Sequence, residues 1–405
     1  MQHGRGVWRG ALALYFLLLA GLALVRIASA YALEHHPWIM GDWLIHYGAG
    51  FVRRGLLGTL TLALGTRWAD PGLFAALFIA GTYLTFLAFT YLAWQRQPAL
   101  EPYALFLWAP FLFWFPVLDV QGAYRKEILF LALLAGVVYF VGRNPRGATR
   151  PLTGALLLFP WLLLSHEALL AYLPYVGLVA LWAARQGWRG RPKARWAGLL
   201  ALSLLAWVAA LTHRGTAAQE RAILAQLRAA GYPITARDNA IVWLDVTVDE
   251  QLAVQLPRMR QVKPLLRILA FGPWVGLAFV PVLPRLRPWR RDPRAWALFA
   301  ASVGMTVVLM AVAKDWGRFW YVHGVSLFLL TLLDARPLPW QVEPARLRWL
   351  LWALGPLYAA FAYWHHVHGF SWYRPNLEAF LTKRALQYLD MARGVLRYWQ
   401  THFPH

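Results

Sequence analysis

Five short polar clusters interrupt an otherwise apolar chain, and each mixes residue types that can do chemistry. They are Gly41-Asp42-Trp43, Phe51-Val52-Arg53-Arg54-Gly55, Tyr124-Arg125-Lys126-Glu127 with Asp119 just ahead of it, Ser165-His166-Glu167, and Lys314-Asp315-Trp316-Gly317-Arg318. A guanidinium presents a planar fork suited to phosphate or carboxylate, and a carboxylate beside it can act as a general base. Arg53, Arg54, Arg125, Lys126 and Arg318 are therefore candidate anion-binding groups, with His166, Glu167 and Asp315 completing a polar lining. Asp42, Asp119 and Glu127 are the candidate catalytic acids.

Each candidate also has a plainer reading. Asp315 and Arg318 are three apart and could pair on one helical turn. Arg125 with Asp119, or Lys126 with Glu127, could tie helix ends together, and Arg53-Arg54 could rest on anionic lipid heads. Adjacent His166 and Glu167 do not make a metal site, and a chain without cysteine has neither disulfides nor thiolate ligands. A divalent cation could use Asp42, Asp119 or Glu127, but the pattern requires no metal and no cofactor.

What must position these residues is a membrane. The chain is 60% hydrophobic, and apolar runs recur from Leu12 to Tyr363. At roughly 20 residues per crossing they predict an all-α, polytopic transmembrane helical bundle of about eleven spans. These lie near 10–31, 72–94, 103–118, 128–142, 151–164, 168–184, 195–212, 266–284, 295–313, 319–333 and 347–364. Every second connecting segment is Arg-rich and otherwise plain: Arg96; Arg143, Arg146 and Arg150; Arg185 to Arg195; Arg285 to Arg294; and Arg336 to Arg348. Placing these with the N-terminus in the cytoplasm satisfies the positive-inside rule and leaves all five mixed clusters on the outer face. Much of the net charge of +22 is then a topology signal rather than a nucleic-acid footprint.

Several local features refine this layout. One helix over 151–184 would be about 51 Å long, far more than the roughly 30 Å hydrocarbon core, so Ser165-His166-Glu167 marks a hairpin. Ala28-Ser29-Ala30 resembles a signal-peptide cleavage site, although an uncleaved first span suits a many-spanning chain better. The outer segment 32–71 holds Trp38, Trp43 and Tyr47 and an apolar piece, Leu56 to Leu64, suited to a surface helix. The outer segment 213–265 predicts a helix over 216–230 with Ile223 and Leu227 on one face, a break at Gly231-Tyr232-Pro233, and a capping box from Thr247 to Glu250 ahead of a second helix. Residues 1–364 form the bundle. Residues 365–405 form a tail whose stripe of Leu377, Leu381, Ala385, Tyr388, Ala392, Leu396 and Trp399 suits a helix on the outer surface. No phosphate-binding loop or nucleotide motif is present, so the chain is not an ATP-driven pump by itself.

This arrangement resembles the GT-C superfamily of integral-membrane glycosyltransferases: a cytoplasmic N-terminus, a long first outer loop with an early acid, and a second long outer loop after span 7. The resemblance is one of topology over most of the chain, with short motifs. It implies an outer-leaflet enzyme that takes a polyprenyl-phosphate or -diphosphate sugar and passes the sugar to a glycan or lipid acceptor, with its site facing the periplasm from a bacterial inner membrane. It also implies Asp42 as the general base and Asp119 or Glu127 as the second acid. The family's paired acids at the start of the first outer loop are replaced here by Asp42 alone before Trp43. Gly50-Phe51-Val52-Arg53-Arg54-Gly55-Leu56 and Lys314-Asp315-Trp316-Gly317-Arg318 are similar to strings in membrane proteins of bacterial surface-polysaccharide synthesis. Two alternatives stay open: a Wzy-like polysaccharide polymerase using the same face, and a non-enzymatic lipid-linked glycan transporter or flippase, which would call for charge near mid-membrane.

Overall fold

A chain that is to sit in lipid must satisfy its backbone polar groups internally, and helices do so within a single segment. The computed structural model describes residues 2–402 apart from 110, 120–121, 191–192, 235–238, 261–272, 274, 314–315, 339–354 and 356–376. It is 80% helix, with no strand among the described residues. Among the described residues, five helices are long and apolar enough to cross a membrane: Trp8–Ala32, Pro71–Gln95, Glu167–Arg185, Ala194–Thr212 and Pro293–Val312. Leu14, Leu17, Leu205 and Val308 lie exposed on three of them, an apolar exterior suited to lipid rather than water.

The long first helix, α1 (Gln2–Ala32), is followed by a short buried one, α2 (Ile39–Leu44). Then come α3 (Gly55–Trp68) and α4 (Pro71–Gln95). Asp70 caps α4 by accepting the Leu73 N–H, and Pro71 opens its first turn, where no amide hydrogen is needed. The expected piece at 56–64 is thus part of a full helix. α3 turns Gly55, Gly58, Thr61 and Gly65 inward and Leu60 and Trp68 outward. At Gly58 a Cβ would collide with the Ile45 carbonyl, so only glycine lets α3 lie against the chain leaving α2.

The expected span at 103–118 needs correction. It is not one helix but α5 (Ala104–Trp108) and α6 (Phe115–Leu118), with irregular chain between them. Its aromatics bury one another rather than facing lipid: Phe106 packs on Phe328 with centroids 4.9 Å apart, and Phe113 lies 5.5 Å from Phe16. Pro116, in the first turn of α6, supplies no amide donor to continue a helix from the preceding residues.

Further along are α7 (Glu127–Arg143), α8 (Thr149–Ser165), α9 (Leu173–Arg185) and α10 (Lys193–Thr212). The expected break between α8 and α9 occurs at His166, which is extended before a short 3-10 helix, Glu167–Tyr172. α7 packs on α4 and α8, and α8 on α10. The next loop carries α11 (Ala217–Ala229), its Thr216–Gln219 capping box complete and Ile223 and Leu227 buried. After the positive-φ break at Gly231, Thr247 and Glu250 cap each other ahead of α12 (Val248–Met259). Then follow α13 (Leu283–Arg290), α14 (Pro293–Val312) and α15 (Trp316–Thr331). All of the expected span at 347–364 but residue 355, and residues 266–272 and 274 of that at 266–284, lie outside the described residues.

The final helix, α16 (Leu377–His402), packs against α1. Among its described side chains, the face it buries shares only Tyr388 with the expected stripe. Tyr388 and Met391 are buried, whereas Leu396 and Trp399 are exposed. Tyr398 meets Tyr31 edge-on at 6.3 Å, and Tyr31 stacks on Tyr232 at 5.9 Å, joining tail, first helix and the loop beyond α11.

Candidate functional site

Seven charged residues and one histidine from five separate stretches meet in one buried network. Each is delivered by the end of a helix. Asp42 lies in α2, Arg54 caps α3, Arg125, Lys126 and Glu127 lead into α7, His166 and Glu167 form the corner after α8, and Arg318 sits in the first turn of α15. Asp42 and Lys126 are wholly buried, and Arg125, Glu127, His166, Glu167 and Arg318 nearly so.

The contacts interlock. Arg125 Nε donates to Asp42 Oδ2 at 3.2 Å, and the Lys126 backbone N–H reaches the same oxygen at 3.4 Å. Arg54 makes a fork on Glu167, at 2.9 Å from Nε and 2.6 Å from Nη2. Its Nη1 lies 4.0 Å from Asp42 Oδ1, an oxygen that is buried and accepts no hydrogen bond among the described residues. Glu127 holds His166 Nε2 at 3.1 Å and pairs with Arg318 at 3.4 Å. Lys126 Nζ donates to the Arg54 carbonyl at 2.8 Å. Arg54 occupies a left-handed backbone conformation, φ 67°, uncommon for a residue with a side chain. That conformation starts α3 and directs the Arg54 carbonyl at Lys126.

Burying these charges costs several kcal/mol per ion, offset only where partners and hydrogen bonds are supplied. Among the described residues cations hold the majority: Arg54, Arg125, Lys126 and Arg318 against Asp42, Glu127 and Glu167. Burial alone would raise the Asp42 carboxyl, but Arg125, then Lys126, His166 and Arg54, outweigh it and hold the group well below the usual carboxylate range. For Lys126 burial wins, pushing the ammonium down to about 8 despite Asp42.

Two of the expected site residues have other work. Arg53 was expected at a phosphate, yet its Nη2 donates to the Trp243 carbonyl at 2.8 Å, and its backbone N–H to the His213 carbonyl at 2.7 Å. It stitches the loop before α3 to the loops beyond α10. Asp119 is buried, and its Oδ1 accepts the Gly122 N–H at 2.9 Å, shaping the turn that leads to Arg125. Asp315 lies outside the described residues. No group of three or more His, Asp or Glu with metal-holding geometry occurs among the described residues.

Other neighbours were not singled out from sequence. Trp38 places its ring 5.4 Å from the Arg125 guanidinium and 6.1 Å from Trp243. Trp243, Asp245, Glu250, Gln251 and Gln255 line a cleft of about 280 Å³. Gln255 is buried at its base. Spacing gives no sign that Trp38 and Trp243 meet, since they lie far apart in the chain. Deeper in the bundle, His323 hydrogen-bonds Tyr175 at 2.7 Å and Thr306 at 2.8 Å.

The opposite ends of the helices carry a second polar group. Arg96 at the end of α4 donates to the Gly142 carbonyl near the end of α7, and Gln97 binds the Leu332 carbonyl at 2.9 Å. Arg285 pairs with Asp334 at 3.5 Å. α7 has 17 residues, so the two polar ends are separated by about 25 Å at 1.5 Å per residue. No protein-family model, curated protein or solved structure matches this chain.

Proposed function

We propose that the chain is a GT-C-like membrane glycosyltransferase that uses a polyprenyl-phosphate-linked sugar at the outer face of a bacterial inner membrane. The observation that supports it is the cation-rich network, gathered from five stretches into one buried place. Such a surplus of guanidinium and ammonium groups suits a phosphate better than water. The phosphate would sit against Arg54, Arg125, Lys126 and Arg318 and draw the first two away from Asp42. Stripped of those partners, Asp42 regains basicity, and its open Oδ1 can take the acceptor hydroxyl proton. The acceptor oxygen then bonds the anomeric carbon while the carbon–phosphate oxygen bond breaks, its electron pair leaving on a phosphate that the cations stabilise. The cleft under Trp243 offers an aromatic face, carboxylates and amides, chemistry that fits the hydroxyls of a sugar acceptor. A Wzy-like polymerase would use the same groups on a longer lipid-linked glycan.

The test is purified protein in nanodiscs, with polyprenyl-phosphate binding and product formation measured separately. Arg318→Lys keeps charge but loses the planar fork, so lipid binding weakens. Asp42→Asn keeps lipid binding, and turnover drops by about 10²–10⁴-fold. Absence of polyprenyl-phosphate binding by the wild type would sink the reading. Binding without product, with the lipid moved between leaflets, would favour the transporter, to which the intramembrane His323 would then belong.

A further inference from the structure

A cleft of about 500 Å³ opens between α9, α13, α14 and α15, within the size range of small-molecule sites. Leu178, Leu283, Phe299 and Leu327 give it apolar walls, and among the described residues the only charged side chains in its lining are Arg287 and Arg290. It is separate from the ion network. Leu327 lies nine residues beyond Arg318 on α15, about 14 Å along the helix.

The arginines of this region divide by role. Arg285 turns inward to Asp334 and Gln97. The acid next to the cleft, Asp292, is occupied by Arg185 at 2.9 Å and Arg294 at 3.1 Å. Arg287 and Arg290 are exposed, stand three apart on one side of α13, and make no ion pair among the described residues. Two indoles frame the opening in fixed positions. Trp289 donates to the Leu178 carbonyl at 3.3 Å, and Trp296 to the Arg290 carbonyl at 2.9 Å. An apolar slot with two guanidinium groups at its mouth, and among the described residues neither an ion-pair partner for them nor a carboxylate in its lining, complements one kind of molecule, an amphiphile with an anionic head.

We propose that this cleft binds an anionic glycerophospholipid, its acyl chain lying along Leu178, Phe299 and Leu327 and its phosphate held by Arg287 and Arg290. The site is preformed, because the tryptophans that shape it are hydrogen-bonded to backbone already. A zwitterionic lipid is disfavoured, since its ammonium would meet the same two cations.

The experiment uses the full chain, purified and delipidated in detergent. Phosphatidylglycerol, phosphatidylcholine and glycerol phosphate are titrated separately, and bound copies are counted by native mass spectrometry. The wild type should retain one phosphatidylglycerol at least tenfold more tightly than phosphatidylcholine, and glycerol phosphate only weakly. Arg287→Gln with Arg290→Gln should bring phosphatidylglycerol down to the level of phosphatidylcholine. Both side chains are exposed, so their removal strands no buried charge, and an unchanged melting temperature confirms the fold. Leu283→Trp, which fills the slot, should lower retention of both lipids. Three results would overturn the proposal: equal retention of the two lipids by the wild type, undiminished phosphatidylglycerol binding in the double variant, or glycerol phosphate competing as well as the intact lipid. If Leu283→Trp does not fold, the arginine variants decide.

Discussion

Lys126 is the costliest single residue at the site, a wholly buried ammonium whose hydrogen bond goes to one carbonyl. Its native pKa of about 8 lies below the ordinary value of 10.5, so between those two pH values the unfolded chain binds more protons than the folded one. The Lys126 contribution to stability then rises with pH across that window, by about 3 kcal/mol at one pKa unit per 1.36 kcal/mol. Below pH 8 the full penalty is present in the wild type. Replacing Lys126 by Met removes that contribution, so the melting temperature of the wild type relative to the variant should climb from pH 7.5 to 10.5, the buried tyrosines acting equally on both. A parallel climb in both would place the titrating group elsewhere. Asp42 behaves in the opposite sense. Its lowered pKa contributes stability that is present above the unfolded value and is lost only as pH falls through the native one. Its presence at the site was legible in the sequence as an acid close after the first apolar run, but its attachment to Arg125 was not. That pairing joins α2 to the chain leading into α7 and depends on packing, which no spacing encodes.

At the scale of elements, the site depends on how closely α3 approaches the segment after α2. Gly58 permits that approach, and an alanine there would press on the Ile45 carbonyl. Overpacking of this kind typically costs 1–3 kcal/mol. Gly58→Ala should therefore lower the melting temperature and also displace Arg54 from Glu167, weakening anion binding although residue 58 touches no charged group. Gly10→Ala, on open surface in α1, is the control: it should leave anion binding unchanged and hold or slightly raise the melting temperature. Normal anion binding by Gly58→Ala would mean that α3 does not set the position of Arg54. Elements with strong local signals could be read in advance. The helix over 216–230, its break at Gly231 and the turn at His166 all follow from caps, glycine and length. The 103–118 segment could not be read this way. Hydropathy records that a stretch is apolar, not whether its neighbours are lipid tails or other aromatic rings. The buried face of α16 was hidden for a related reason, since the partner surface on α1 decides which side of an ambiguous stripe turns inward.

The molecule as a whole has two unlike ends, a network of mixed charge at one and an arginine-rich polar group at the other, joined by α4, α7, α9 and α15. The alternation of connecting segments predicts that reporter fusions at 143–150 and 285–294 read as cytoplasmic and insertions at 46–50 and 213–216 as external. Should the two groups report the same side, the bundle does not separate its ends across a bilayer. Arg26 adds something about how such a bundle is made. It lies within the apolar α1, buried, with its guanidinium on Glu34 and its Nη1 3.6 Å from the Met391 sulfur. Glu34 and Ser29, which hydrogen-bond each other at 2.9 Å, emerge from the ribosome almost together with Arg26, whereas Met391 arrives long after. The first helix thus carries its own counter-ion into the lipid and need not wait for the rest of the chain. The late arrival of α16 then seals the buried guanidinium from the surroundings, so insertion and final closure are separate events in biogenesis, each governed by a different partner of the same arginine.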